Sequence, residues 1–317
     1  MERLQAAIEK ARAQRESAAT TEQATVMGAP AAPPVAPAPQ ATPSIAEPGP
    51  AATPSQTDVQ DAAQVPVQNT DQAAAQDAAR DAAWAALTPI MLRKRSMQRL
   101  RILTFHGGPL SGAFDLLRTR MLQQAKQNGW RRIAVVSPHS GCGKTTTVAN
   151  LAFNLARRAD TRTIAFDFDL RRHGLTNILR QRPTQGMADV LEGRVPFAEH
   201  GLRQGMNVAF GLNGKPVKTA SEVLQSSKTQ EVLTEIQEAY APDLMLFDLP
   251  PLMASDDNFG FLSHVDAALV LVAAEKTSMS QIDVAERHVA ELTNVMGIVL
   301  NQCRYTSGAY GHEYNYY

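Results

Sequence analysis

Short apolar runs that recur from residue 131 onward constrain the fold of the chain more than any other feature. They read "RRIAVVS" (131–137), "RTIAFDFD" (162–169), "NVAFGL" (207–212), "DLMLFDLP" (243–250), "DAALVLVAA" (266–274) and "NVMGIVLNQ" (294–302). Stretches of helical character separate most of them, among them "TTTVANLAFNLARR", "SEVLQSSKTQEVLTEIQEAY" and "SQIDVAERHVAEL". Continuous apolar runs suit strands buried on both faces, and their alternation with helices predicts an α/β fold with a mostly parallel sheet covered on both sides. Ligands of such sheets bind beyond the carboxyl ends of the strands. The chemically informative residues should therefore sit at the ends of these runs.

The first half of the chain has a different composition. Ten of the nineteen prolines lie between Pro30 and Pro66, in a stretch with no aromatic residue. Such a segment buries too little surface to offset chain entropy and reads as an extended linker. The expected layout is a short amphipathic helix within 1–27, with Leu4, Ala7, Ile8 and Ala11 on one stripe, as a docking segment or a frayed end. An Ala/Pro-rich linker at 28–87 follows, ending in an Ala-rich helix, then a catalytic domain at 88–304 and a tail at 305–317. Net charge is zero, which gives no general reason to expect nucleic acid as a partner. The local exception is "LRKRSMQRLR" (92–101), with five basic residues in ten, read either as a solvated helix face or as a patch for acidic lipid or an acidic partner. Without an apolar run of about twenty residues or a signal-peptide core, and with two cysteines only, the expected setting is cytoplasmic and reducing.

Three strand ends carry chemistry. "AVVSPHSGCGKTTT" runs from a strand through a glycine-containing loop into a helix opening at Lys144. Backbone N–H groups of Ser140, Gly141, Cys142, Gly143, Lys144, Thr145 and Thr146 can face one anion there. Lys144 would reach the outer phosphates, and the Thr145 hydroxyl would bind Mg²⁺. In "TIAFDFDLRR", Asp167 and Asp169 point the same way, and neighbouring carboxylates are best tolerated around a metal or a shared proton. In "DLMLFDLPP", Asp248 ends a strand where it can bind Mg²⁺ directly or through water. Each alone has a plain structural reading; the three together describe a P-loop nucleotide–Mg²⁺ site.

With these motifs in this order, the chain resembles the bacterial tyrosine kinases of capsule and exopolysaccharide synthesis. "SPHSGCGKTT", "IAFDFDLR" and "LMLFDLPP" correspond to that family's two Walker motifs and the motif between them, and "GMADVLEG", "SEVLQS" and "GIVLNQ" also look like the family's. The resemblance covers about residues 100 to 317. It implies an ATP-dependent autokinase in which Asp169 and Asp248 hold Mg²⁺ with Thr145, Asp167 is the base for the incoming phenol, and Asn301 contacts adenine, though a strand-end turn also explains Asn301. It further implies that the tail is a substrate. Five of the six tyrosines, Tyr305, Tyr310, Tyr314, Tyr316 and Tyr317, lie in the last thirteen residues. Implied partners are a second subunit for phosphorylation in trans, a separate transmembrane chain-length regulator that recruits the chain to the inner face of the plasma membrane, and a cognate tyrosine phosphatase.

The sequence also departs from that pattern. The family's ExxRxxR interface motif corresponds to Gly112, Asp115 and Arg118, so one arginine of it survives. A second reading is a partition or division-site switch ATPase of the same fold. That class typically carries a signature lysine where this chain has His139.

Overall fold

The computed structural model describes residues 68–108 and 111–304, the side chains of residues 68–73 excepted. The expected docking segment, most of the Pro-rich linker and the tyrosine tail lie outside the described residues. Eight strands form one sheet: β1 (Thr88–Pro89), β2 (Arg132–Val136), β3 (Thr163–Asp167), β4 (Leu202–Gln204), β5 (Val208–Gly211), β6 (Leu244–Asp248), β7 (Ala267–Ala273) and β8 (Asn294–Asn301). Their order is β1-β4-β5-β3-β6-β2-β7-β8. All neighbours are parallel except β4 and β5. Short β1 and β4 therefore run against the central strands and close one edge.

Side chains alternate across this sheet with period two, so each apolar run feeds both faces. Ile133, Val135, Leu244, Leu246, Leu269 and Leu271 pack on one side. Ala134, Val136, Met245, Phe247, Val270 and Val272 pack on the other. On the second face Phe166 and Phe247, register partners on β3 and β6, stack with centroids 5.2 Å apart. β6 lies between β3 and β2, so the loops after these three strands open side by side along one edge of the sheet. That adjacency assembles the site.

The run "SEVLQSSKTQEVLTEIQEAY", read as a stretch of helical character, holds two helices: Ala220–Gln225 and Ser227–Tyr240. Ser226 adopts an extended backbone, and its hydroxyl accepts from the Thr229 amide at 3.2 Å. A serine that caps a new helix outweighs the continuing apolar periodicity. Among the described residues no helix is long and apolar enough to cross a membrane.

Packing against the sheet begins before Thr88. The helix Gln68–Ala86 brings Trp84 and Leu87 into the core, where both are almost wholly buried. The Trp84 indole N–H donates to the Tyr240 carbonyl at 2.8 Å, and its ring meets the Tyr240 ring edge-on. The Arg162 guanidinium lies 5.6 Å from the centre of the indole and pairs with Asp81 on the same helix. An aromatic ring with a satisfied polar tip and a cation over its face anchors the segment in three ways. Trp84→Ala should lower stability by roughly 3–5 kcal/mol, read as a lower urea midpoint with unchanged slope. A shift of less than about 1 kcal/mol would show that the segment is peripheral to the domain.

Candidate active site

The loop between β2 and the helix Lys144–Ala156 owes its path to two glycines. Gly141 and Gly143 have φ of +84° and +91°, a region that disfavours other residues. A Cβ on Gly143 would lie 2.4 Å from Asn301 Nδ2. The close approach has a purpose, because the Asn301 amide donates to the Cys142 carbonyl at 2.8 Å. Next to it, the Gln302 amide donates to the Gly141 carbonyl at 2.6 Å. In a planar trans peptide the N–H points opposite to the carbonyl. Holding these two carbonyls outward turns the N–H groups of Cys142 and Gly143 to the other side, as a phosphate cradle requires. The helix that follows adds its unsatisfied first-turn N–H groups and the positive end of its dipole.

Lys144 starts that helix, almost fully buried, with Nζ donating to Ser137 Oγ at 3.0 Å. Burial lowers its pKa, while Asp248 and Asp169 favour its charged form. Ser140 and Gly141 are exposed, Thr145 and Thr146 half-buried, and Cys142 buried with Sγ 3.3 Å from the His139 carbonyl. The cysteine side chain therefore points into the protein, away from the cradle. His139 is engaged within the subunit, with Nε2 2.9 Å from Thr277 Oγ1 and Nδ1 2.9 Å from the Ser140 carbonyl.

The acidic residues converge on the same place. Asp167 and Asp248 are direct register partners across β3 and β6, and both side chains are buried. Asp167 Oδ2 accepts from the amides of Leu175 and Thr176 at 3.1 and 3.4 Å, while Oδ1 is buried without a partner. Neither oxygen of Asp248 has a partner of ordinary hydrogen-bond geometry. Burial drives the Asp248 pKa up to about 7 against the pull of Lys144 and the nearby Thr145 hydroxyl. Asp167 is pushed well above the carboxylate range by burial and then by Asp248. Asp169, half-buried, is raised by burial against the pull of Lys144 and Arg172.

Such buried, orphaned carboxylate oxygens fit a bound cation. No group of three metal-ligating side chains among the described residues forms a cage by itself. This suits Mg²⁺, which is commonly held by one or two carboxylates together with substrate phosphates. Thr145 lies close against Gly174, where a Cβ would fall 2.8 Å from its Oγ1. After β6, the chain turns at Pro250-Pro251 and returns to the P-loop, with Leu252 and Met253 amides donating to the Ser137 and Pro138 carbonyls at 2.8 and 3.1 Å.

The sequence-derived residues Lys144, Thr145, Asp167, Asp169 and Asp248 thus meet in one cleft. Asn301 reaches it as a brace on the loop backbone. Sequence reasoning missed Gln302, Ser137 and Asn213, whose amide donates to the Asp167 carbonyl at 2.7 Å. Gln302 follows directly on Asn301 in "VLNQ", which was the available signal. Arg171 is spent on structure, as a two-pronged pair with buried Asp257 at 2.8 and 2.9 Å. At the degenerate interface motif, Asp115 accepts from Ser111 Oγ and Asn154 Nδ2 at 3.0 and 2.9 Å and pairs with Arg118 and Arg157. That carboxylate is used inside the subunit.

A model of the CobQ/CobB/MinD/ParA nucleotide binding domain matches residues 133–312, and the chain belongs to that family. Among curated relatives it is 28% identical to AmsA of Erwinia amylovora over 189 residues, 59% of this chain and 25% of that protein. It is 27% identical to the tyrosine-protein kinase ptk of Acinetobacter johnsonii over 182 residues, 56% of this chain and 24% of that one. The tyrosine-protein kinase CpsD of Streptococcus pneumoniae is 25% identical over 183 residues, 56% of this chain and 79% of CpsD. This chain therefore spans about a quarter of the length of the first two. The kinase domain of the Escherichia coli tyrosine kinase ETK superposes with a TM-score of 0.55 at 22% identity, covering 63% of this chain and 78% of that one. The VpsO kinase domain also gives 0.55, at 23% identity, covering 62% and 96%. The fold is that of these kinase domains.

Two outcomes follow from this geometry. A carboxyl whose folded pKa is raised binds more protons in the native state than in the unfolded chain between its two pKa values. For Asp248 that window runs from 3.8 to about 7, so stability falls as pH rises through it. Asp257, held below its usual range, has the opposite sign and acts below about pH 4. In chelator without nucleotide, the melting temperature should fall from pH 5 to pH 8, and Asp248→Asn should raise it at pH 8 and flatten the slope. An unchanged slope would mean the buried carboxylates are not the source. Separately, Gln302→Ala should weaken ADP binding several-fold in calorimetry; equal affinity would show that the cradle holds its shape without that amide.

Proposed function

We propose that this chain is an ATP- and Mg²⁺-dependent protein-tyrosine kinase whose acceptors include its own C-terminal tyrosines. The observation that carries this reading is the buried Asp167–Asp248 pair beside Lys144, with carboxylate oxygens that have no hydrogen-bond partner among the described residues. Its kinship with named tyrosine-protein kinases supports the same choice of acceptor. Phosphoryl transfer asks a protein mainly for positioning and charge neutralisation. The cradle amides and Lys144 would hold the β- and γ-phosphates and offset the charge on the transferring group. Asp248 and Asp169, with the Thr145 hydroxyl, would hold Mg²⁺, which when bound draws phosphate charge and screens the acids from one another.

In this reading Asp167 is the general base. Its Oδ2 is fixed by two backbone amides, which leaves Oδ1 free to accept the phenol proton. A raised pKa makes that carboxylate a better proton acceptor than an exposed one. Tyr305, Tyr310, Tyr314, Tyr316 and Tyr317 are the proposed acceptors, presented to the cleft of a second subunit. The proposed setting is capsule or exopolysaccharide production at the inner face of the plasma membrane, with a separate membrane-spanning regulator and a tyrosine phosphatase as partners. The rival switch-ATPase reading is disfavoured by His139, a residue occupied within its own subunit where that class carries its lysine.

Mass spectrometry after incubation with Mg²⁺–ATP tests the proposal, alongside Lys144→Met and a chain lacking residues 305–317. The expected result is phosphotyrosine confined to the tail, lost by at least about a hundredfold in the lysine variant. ATP turnover with no phosphotyrosine, even with an added tyrosine-rich peptide, would favour the switch ATPase.

A further inference from the structure

Between Asp81 and Asp115 the chain holds no acidic residue and five basic ones: Arg93, Lys94, Arg95, Arg99 and Arg101. All five side chains are exposed, and among the described residues none pairs with a carboxylate. The short helix Lys94–Arg99 sorts them. At 100° per residue, Lys94, Arg95, Gln98 and Arg99 share one outward arc, while Met97 turns inward and is buried. Leu92 and Leu100 pack partly against the core below. The helix is thus seated firmly with its charge outward. Beside this arc Met91 is 93% exposed, the most exposed large apolar side chain among the described residues. A fully solvated methionine costs hydrophobic free energy that a partner would recover.

Topology fixes where this face lies. β1 runs against the central strands, so the chain leaves Pro89 toward the end of the sheet opposite the P-loop. Met91 and the start of the basic helix follow within a few residues. A surface contacted there leaves the nucleotide cleft open.

We propose that Met91, Arg93, Lys94, Arg95 and Arg99 form a peripheral docking face for an anionic lipid surface. The cations would sit among the headgroup phosphates, and Met91 would enter the boundary between headgroups and acyl chains. Fixed, unpaired cations around an apolar tip match a membrane, which offers dispersed negative charge over an apolar layer. An acidic protein segment would neutralise the charge but its carboxylates would leave Met91 in water. One modest basic face with a single apolar tip makes the attachment reversible and salt-sensitive. The inference is independent of the kinase reading.

Co-sedimentation of the full chain with vesicles tests it, using equal parts phosphatidylglycerol and phosphatidylcholine against phosphatidylcholine alone. Binding is expected on the anionic vesicles only, declining as salt is raised. Replacing Arg93, Lys94, Arg95 and Arg99 by Gln should weaken it at least about tenfold, with ADP affinity and melting temperature unchanged. Met91→Ser should weaken it a few-fold at every salt concentration. A control with Lys126, Arg131, Arg182 and Arg287 changed to Gln should bind nearly as the parent does. No binding to anionic vesicles, or an equal loss in the control, overturns the proposal. Capture of the parent by polyglutamate, lost in the Arg93/Lys94/Arg95/Arg99 variant, with no vesicle binding, would reassign the face to an acidic protein.

Discussion

Strand register sets Asp167 directly opposite Asp248 where the sheet ends, with both carboxyls shielded from water. Like charges held together in a buried place oppose ionisation strongly. The displacement of Asp248 from 3.8 to about 7 corresponds to a penalty on the order of 4 kcal/mol for carrying its charge. An asparagine pair would fill the same space at lower cost, so stability alone gives no reason for two acids. Lys144, the Thr145 hydroxyl and the Leu175 and Thr176 amides all moderate that repulsion without removing it. What remains is an unspent affinity for positive charge at the mouth of a phosphate loop.

The rest of the molecule keeps this arrangement in place. Phe166 and Phe247 stack one residue before the two acids and fix the register from below. The amides beyond Pro250-Pro251 bond back to Ser137 and Pro138, tying the exit of β6 to the start of the loop. On the far side, the Asp115 carboxylate joins the helix Gly112–Asn128 to the helix that carries Lys144. That cross-link uses a carboxylate at the position that corresponds to the first arginine of the ExxRxxR motif.

Much of this was legible in the sequence because it depends on period and spacing. Apolar runs of strand length located the central strands, and a carboxylate at the end of each of two runs located the acid pair. What could not be read depends on distant partners. Nothing near Asn301 or Gln302 indicates that their amides reach carbonyls some 160 positions earlier. The short strands β1 and β4 carry too few residues to show a period. The break at Ser226 turns on one capping hydroxyl inside an otherwise continuous helical pattern. Trp84 is held by Tyr240 and Arg162, which come from other parts of the fold.

The brace formed by Asn301 and Gln302 has a mechanical meaning. Gln302 sits at a φ of +60°, a conformation that such a residue keeps only when its surroundings hold it. Its side-chain oxygen also accepts from Lys276, so the residue is gripped on two sides. Arg304 follows only two positions later. At this point the chain is held by the Ala274 amide, which donates to the Asn301 carbonyl at 2.8 Å, and by two side-chain amides whose acceptors are the carbonyls of the phosphate loop. The end of the last strand and the nucleotide cradle are therefore joined directly by side chains, in addition to their connection through β7 and β2.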